Sequence, residues 1–558
     1  MMMDFEQLNQ NLVEELECMN RKKNYYCCLK EITRQELFDG LLGYGLFADK
    51  IPPFLTSENF LYFCKDTSNT TGFSKKKKNY IHYESMRNIN VPRVFAIPEP
   101  VAYYYQCKIL SDYWDDLLKY FHEKTKLHTH KVSRIHIRKI DGALEIMSSC
   151  YDNLYDIDLD DIDLDDYQSS VQDHLFEMNH TNFCKDDYPE PKLLIGKNYL
   201  VKADISNYFP SIYTHSIPWA LVGKKVAKLK STPLYSGEWF NKIDEYTRKV
   251  KEDETHGILI GSHSSNLISE IILVAVDDEL WKKEYKYIRK VDDYICYVNN
   301  QEDAEQFLVD LSSELKKYGL TLNHKKTKIE KLPKASRESW VRKLNSFVFP
   351  HSEDDKLKLK EVRAYLDIAL ELMFNNKENS AILNYAIQVL SKKPMSKGAK
   401  EYFTDTAHHL VILYPYLIPI LDKKIFEIFK IDTNRIKRIS LDIFELGNKR
   451  KLFEAMSYAL FFSLKYNFLL KEELFEKVEY SNDTILLLLA YLHDEKFINH
   501  SKVRKKYKIL AKSLLSDIDE YWVFVYEVLK KSDLKDHWSI MKDKKVSFLK
   551  DDFKVGKK

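Results

Sequence analysis

Asp204 closes the apolar run that begins at Tyr199, and an aromatic residue, Phe209, follows five positions later. A carboxylate at the end of a buried strand is generally paired, hydrogen-bonded or bound to a metal, because burying it alone is expensive. Capping of the next helix would explain Asp204 as well. Further along, Asp292 and Asp293 stand side by side between two β-rich runs, Tyr287 to Val291 and Tyr294 to Val298. The pattern predicts a hairpin with carboxylates at its tip. Turn aspartates are often only turn chemistry, yet no Gly or Asn accompanies this pair. A divalent ion would remove the repulsion between the two charges.

Three carboxylates offering only oxygen suit Mg²⁺ better than zinc. Such a set points to phosphoryl or nucleotidyl transfer with two Mg²⁺ ions, one activating a 3′-hydroxyl and the other neutralising the leaving pyrophosphate. Asp204 and Asp292 are then the bridging ligands and Asp293 the supporting carboxylate. Between the two elements, Gly257 and Gly261 bound a turn that leads into a helix with small residues on its first turn. Small residues let something flat approach, although close packing of a helix start is an equal use for them. Downstream, His324 to Lys328 is a basic cluster after a helix and a short strand. It reads as solvated surface or, beside a triphosphate, as neutralising charge.

The elements that must position these residues divide the chain. Short β-rich runs alternate with helical patterns up to about residue 335, which argues for an α/β or α+β architecture. Beyond residue 320 glycine occurs only at Gly398, Gly447 and Gly556, and amphipathic helical stretches follow one another from Val362 to Leu529. Their short connections suggest stacked helix pairs of the HEAT kind. Residues 152–167 carry eight aspartates in alternation with Leu and Ile, a solvated insertion or an interaction patch. Ser74 to Tyr80 is a short basic loop.

With 558 residues the chain exceeds what one core usually organises. Its 30% charged and 44% hydrophobic residues place it among folded proteins, and a net charge of +2 leaves room for a local basic groove. Eight cysteines without a CxxC pair or a disulfide framework fit a reducing cytoplasm. No basic segment followed by an apolar core opens the sequence, so a secretory signal is not expected. The longest uncharged apolar run, Leu410 to Leu421, is too short for a bilayer and reads as buried helix ends.

In order and spacing, the strand ending at Asp204, the Gly257 and Gly261 turn, the Asp292 and Asp293 hairpin and the strand after Lys326 resemble a reverse-transcriptase palm over about 195–330. Arg93 to Pro98 resembles the fingers segment in which a basic residue precedes Ile-Pro. Tyr213 to Trp219 and Asp253 to Gly257 resemble the bacterial abortive-infection reverse transcriptases of the AbiK type. The resemblance implies an α+β fingers and palm unit over 1–335, followed by an all-α HEAT-like domain over 336–558. It also implies a cytoplasmic enzyme of antiphage defence that makes DNA from dNTPs, forms homo-oligomers, and in several members extends a protein hydroxyl without a template, leaving DNA covalently attached. An RNA template or an associated noncoding RNA is a further implied partner. By the same resemblance Phe209 excludes a ribose 2′-hydroxyl, Arg93 contacts nucleotide or template, Gly261 lies beside the nucleotide, and Lys326 approaches the triphosphate.

Two departures stand out. Lys290 occupies the position two before Asp292, where an aromatic is usual, and Leu259-Ile260-Gly261 replaces the usual Pro-Gln-Gly turn. Both alter places where primer and base pair are handled, so untemplated synthesis becomes an expectation. They also motivate the alternative of a nucleic-acid-binding or sensing module without catalysis.

Overall fold

The computed structural model describes residues 25–48, 50–88, 91–133, 136–139, 176–179, 189–349, 356–472, 474–498 and 500–554. The acidic stretch 152–167 lies outside the described residues. Among the described residues eight strands make three antiparallel sheets. β1 (Tyr80–Ser85) pairs with β2 (Arg93–Pro98), and β3 (His136–Lys139) pairs with β4 (Phe176–Asn179). The main sheet has the order β6-β7-β5-β8, from β5 (Tyr199–Asp204), β6 (Lys286–Lys290), β7 (Asp293–Val298) and β8 (Lys328–Lys331).

The main sheet follows from its residues. Tyr, Leu, Val and Ile in β5, β6 and β7 favour a pleated, half-buried surface, and Leu200, Val201, Tyr287, Ile288, Tyr294 and Cys296 are buried. Its helical cover includes Gln301–Lys316, whose Asn300 cap accepts from the Asp303 N–H at 2.7 Å. The long helix His263–Lys282 is buried almost all round, so it is a core element rather than a surface one. It joins main sheet and N-terminal helices: the Tyr120 hydroxyl donates to the Ile271 carbonyl at 2.7 Å, and Ser264 Oγ to Gln106 Oε1 at 2.8 Å. No helix among the described residues is long and apolar enough to cross a membrane.

From Ser339 onward every regular element among the described residues is helical. Successive helices pack as neighbours, among them Leu359–Asn375 with Ala381–Ser391 and Thr433–Arg450 with Phe453–Lys465. Leu410 to Leu421 comprises a helix end at Leu413 and the 3₁₀ turn Pro415–Ile420, with Leu417, Ile418 and Ile420 buried. Helix Asp536–Asp543 lies beyond the Val362 to Leu529 range marked by sequence periodicity. The last described elements do not run away from the N-terminal ones as an open stack would. Thr56 donates its N–H to Phe548 at 2.8 Å, Lys550 donates to Phe54 at 3.0 Å, and the Phe60 and Phe548 rings lie 5.7 Å apart. Buried side chains from Leu29 to Phe553 form one continuous cluster.

Cys27 is disulfide-bonded. Cys64, Cys107 and Cys296 are free and buried.

Candidate active site

Register brings the candidate carboxylates together. β5 and β7 pair so that Asp204 stands directly opposite Asp293, and β6 and β7 pair so that Lys290 stands opposite the same Asp293. Directly opposed residues in antiparallel strands share one face. Lys202 faces Lys328 across β5 and β8, and Lys326 lies where that register continues opposite Asp204. Its ammonium donates to Asp204 Oδ2 at 2.7 Å. The row therefore reads Lys290, Asp293, Asp204, Lys326, with Asp292 in the hairpin turn beside it.

The end of β5 is pinned from both sides. Ile205 donates its N–H to the Asp292 carbonyl at 3.2 Å, Asn323 donates to the Asp204 carbonyl at 2.7 Å, and Ser206 to Thr321 at 2.9 Å. The hairpin turn consists of Val291 and Asp292, and Val291 sits in left-handed backbone at φ +52°. A β-branched residue there is strained by about 1–3 kcal/mol. Arg289 supports the strained residue, donating from Nη1 to the Val291 carbonyl at 2.8 Å.

Sequence reasoning missed Arg289. Its side chain is wholly buried, and its guanidinium donates to Glu270 and Asp277 on the His263–Lys282 helix. Burial opposes the guanidinium charge, but the two carboxylates outweigh burial and hold its pKa well above the ordinary value. The available signal was Glu270 and Asp277 flanking the apolar run Ile271 to Val276, with Arg289 inside a β-rich run.

The electrostatics of the row are those of crowded carboxylates. Desolvation first, then the charge of Asp204, raises the Asp292 pKa, while Lys326 and Arg93 pull it back. Asp293 reaches solvent at the mouth of the cleft, yet desolvation by the surrounding protein and the charges of Asp292 and Asp204 push it up to about 7. Lys326 is raised chiefly by its hydrogen bond to Asp204. Among the described residues no three acidic, histidine or cysteine side chains already close round one point as a metal cage. The donor set nevertheless fits hard divalent ions: it is all oxygen, its negative charges repel one another, and its nearest compensating cation is the mostly exposed Lys326.

Other expected residues surround this row. Arg93 at the start of β2 lies within electrostatic reach of Asp292. Phe209 is half-buried in the one-turn helix Tyr208–Ser211 after β5, and the Gly257 and Gly261 turn is bonded to it: Ile258 donates to the Phe209 carbonyl at 3.0 Å, and Gly257 to Ile212 at 2.7 Å. Gly257 has φ +80°, and a Cβ there would come 2.9 Å from the Pro210 carbonyl oxygen. Gly261 has φ +121°, and its Cβ would lie 2.9 Å from Ala48 and 3.3 Å from Phe95. Only glycine meets both demands. Ala96 in β2 donates to the Ile260 carbonyl at 2.8 Å, so the altered turn is sewn to the fingers strand that begins with Arg93.

Residues 154–358 match the family model described as reverse transcriptase (RNA-dependent DNA polymerase). This stretch is a reverse transcriptase domain. The main sheet, with its acidic hairpin, gives it palm-like α+β content, and extensive helical regions accompany it. Among curated proteins no sequence matches the chain. Solved structures similar to it include the apo telomerase of Candida tropicalis truncated from its C-terminal domain, at 17% identity and TM-score 0.23 over 50% of this chain and 56% of that one. The chain thus spans little more than half of that protein. The apo telomerase of the same organism matches at 13% identity and TM-score 0.29, covering 88% and 78% of the two chains. The telomerase of Candida albicans in complex with a fragment of telomeric RNA matches at 12% identity and TM-score 0.23, covering 76% and 69%.

Proposed function

We propose that the protein is a DNA polymerase of reverse-transcriptase type acting in antiphage defence by abortive infection. The observation that carries the catalytic part is the register pairing of Asp204 with Asp293, with Asp292 at the adjoining turn and Lys326 on Asp204. In this reading Asp204, Asp292 and Asp293 hold two Mg²⁺ ions, which when bound supply charge neutralisation at the transferred phosphate and activation of the attacking hydroxyl. The chain's own residues do the rest. Phe209 walls the sugar, Gly261 lets the nucleotide approach, Arg93 meets phosphate or template from the fingers, and Lys326 exchanges Asp204 for the triphosphate. Lys326 is the exposed partner of that pair and Asp204 the buried one, so the lysine leaves only where the ions take over its compensation of the carboxylate.

The defence assignment and the use of a protein hydroxyl as primer rest on the resemblance of Tyr213 to Trp219 and Asp253 to Gly257 to AbiK-type enzymes. Lys290 beside Asp293 and the Leu259-Ile260-Gly261 turn bound to β2 favour synthesis that does not read a template. The purified protein with Mg²⁺ and labelled dNTPs should form product, protease should shift its migration, and its sequence should not follow an added RNA. Equal incorporation by the Asp292→Ala/Asp293→Ala protein would sink the catalytic reading. A non-catalytic binding module would instead retain nucleic acid without consuming dNTPs.

A further inference from the structure

A cavity of about 710 Å³ opens on the palm between Tyr213 and Arg248, outside the carboxylate row. Tyr213 and Trp219 form its aromatic wall, with ring centroids 5.6 Å apart, and Lys224 stacks over Trp219 at 3.9 Å. At its base Asp244, only 6% exposed, takes the His215 ring on Oδ2 at 2.7 Å. The other carboxylate oxygen, Oδ1, is buried and has no hydrogen-bond partner among the described residues, and neither has the neighbouring Arg248 Nε–H. Arg248 Nε stands 3.6 Å from Asp244 Oδ2. The guanidinium is also held by Asp253 through Nη1, so the charges are compensated, but the buried Oδ1 and Nε–H still lack hydrogen bonds, which a ligand with the complementary acceptor and donor would supply.

The edge of every nucleobase carries a donor beside an acceptor. We infer that this cavity is a subsite for one nucleotide unit of a single strand, its base against Tyr213 and Trp219 and its edge on Asp244 and Arg248. Lys228, exposed on the rim and without a carboxylate partner among the described residues, reaches the phosphate. The size suits a nucleotide, and aromatic stacking beside cations is the usual way of holding single strands. An acidic peptide would leave the aromatic wall unused and meet repulsion from Asp244. The position is also apt: Tyr213 is four residues from Phe209, at most about 14 Å of chain, and it bridges His256 next to Gly257. A strand lodged here would run past the wall of the nucleotide site. The inference does not need that site to be active.

Binding is therefore measured in EDTA with the full-length Asp292→Ala/Asp293→Ala protein and a fluorescein-labelled 12-mer of single-stranded DNA or RNA. Trp219→Leu should weaken binding about tenfold. The surface change Lys228→Glu, which cannot disturb the core, should also weaken it and reduce the salt slope by about 0.7 for each phosphate no longer neutralised. Photo-crosslinking of a bromodeoxyuridine 12-mer should label the peptide containing Tyr213 to Trp219. Competition by millimolar AMP would place a free nucleotide in the same pocket, while crosslinking that AMP does not diminish would assign it to a strand. Unchanged affinity in both variants, with crosslinks only elsewhere, would overturn the inference, as would displacement by polyglutamate as effective as by nucleotide. Failed dNTP incorporation by the wild-type protein would remove the proposed activity and leave this result standing.

Discussion

Arg289 and Glu270 meet fork to fork out of contact with solvent, Nη1 2.7 Å from Oε1 and Nη2 3.1 Å from Oε2. The same guanidinium binds Asp277 through Nε and Nη2 and the carbonyl of strained Val291 through Nη1. It thus ties the core helix to the turn that carries Asp292. Removing one member of a buried ion network leaves the others uncompensated, so Arg289→Met should cost about 3–5 kcal/mol. Replacing all three, Arg289→Met with Glu270→Leu and Asp277→Leu, should restore most of that stability while leaving Val291 unsupported and activity low. Thermal denaturation and dNTP incorporation separate these effects. A triple variant that regained both would show that the network does not position the hairpin.

Asp292 and Asp293 have raised pKa values chiefly through desolvation, to which the charge of Asp204 adds for both and that of Asp292 for Asp293. Without divalent ions, Asp293→Asn should therefore raise the melting temperature rather than lower it, since it removes repulsion. With Mg²⁺, Asp204→Asn and Asp292→Asn should each reduce incorporation by more than about 100-fold, because even outer partners of a metal site are worth 10- to 100-fold. Calorimetry with and without Mg²⁺, alongside the incorporation assay, tests both halves. A lower melting temperature for Asp293→Asn in EDTA would count against the crowding argument.

Phe209 is held from behind by the hydrogen bond between its carbonyl and Ile258, so shortening its side chain should leave the turn in place and open only the space beside the sugar. Phe209→Ala should raise the use of rNTPs relative to dNTPs by about 10-fold or more, the discrimination that a few apolar groups in a pocket can supply. Competition between matched dNTP and rNTP pools gives the ratio. No change in the ratio would remove Phe209 from the nucleotide wall.

The acidic hairpin and the strand ending at Asp204 were legible in sequence because β-rich runs bracket the aspartates. Their register was not legible, nor was the ion pair of Lys326 with Asp204, since a cross-strand partner 122 residues away leaves no local pattern. Arg289 stayed hidden for a related reason: its value depends on Glu270 and Asp277 facing it across a helix and sheet interface. The HEAT-like reading caught amphipathic helices such as Leu359–Asn375 but could not foresee that residues near Phe548 return to Phe54 and Thr56. Periodicity tells which face is apolar, not what covers it.

Glu454 shows how that return reaches the candidate site. Buried on the Phe453–Lys465 helix, it accepts from Ser85 Oγ at 3.0 Å and from the Met86 N–H, and Ser85 is the β1 residue paired with Arg93. Burial pushes the Glu454 carboxyl up from 4.5 to about 7, against the lowering effect of those hydrogen bonds. A folded-state pKa above the unfolded one means that its stabilising contribution is complete below about pH 4.5 and lost as pH rises through about 7. The loss is on the order of 3 kcal/mol. Glu454→Gln keeps an acceptor for Ser85 and Met86 but cannot ionise. Its melting temperature should therefore match the wild type near pH 5 and exceed it increasingly up to pH 8. Asp483, raised by burial to about 6, is present in both proteins and cancels from the comparison. Parallel pH profiles for the two proteins would mean that Glu454 is ionised at the seam throughout, and that its grip on the strand opposite Arg93 does not depend on pH.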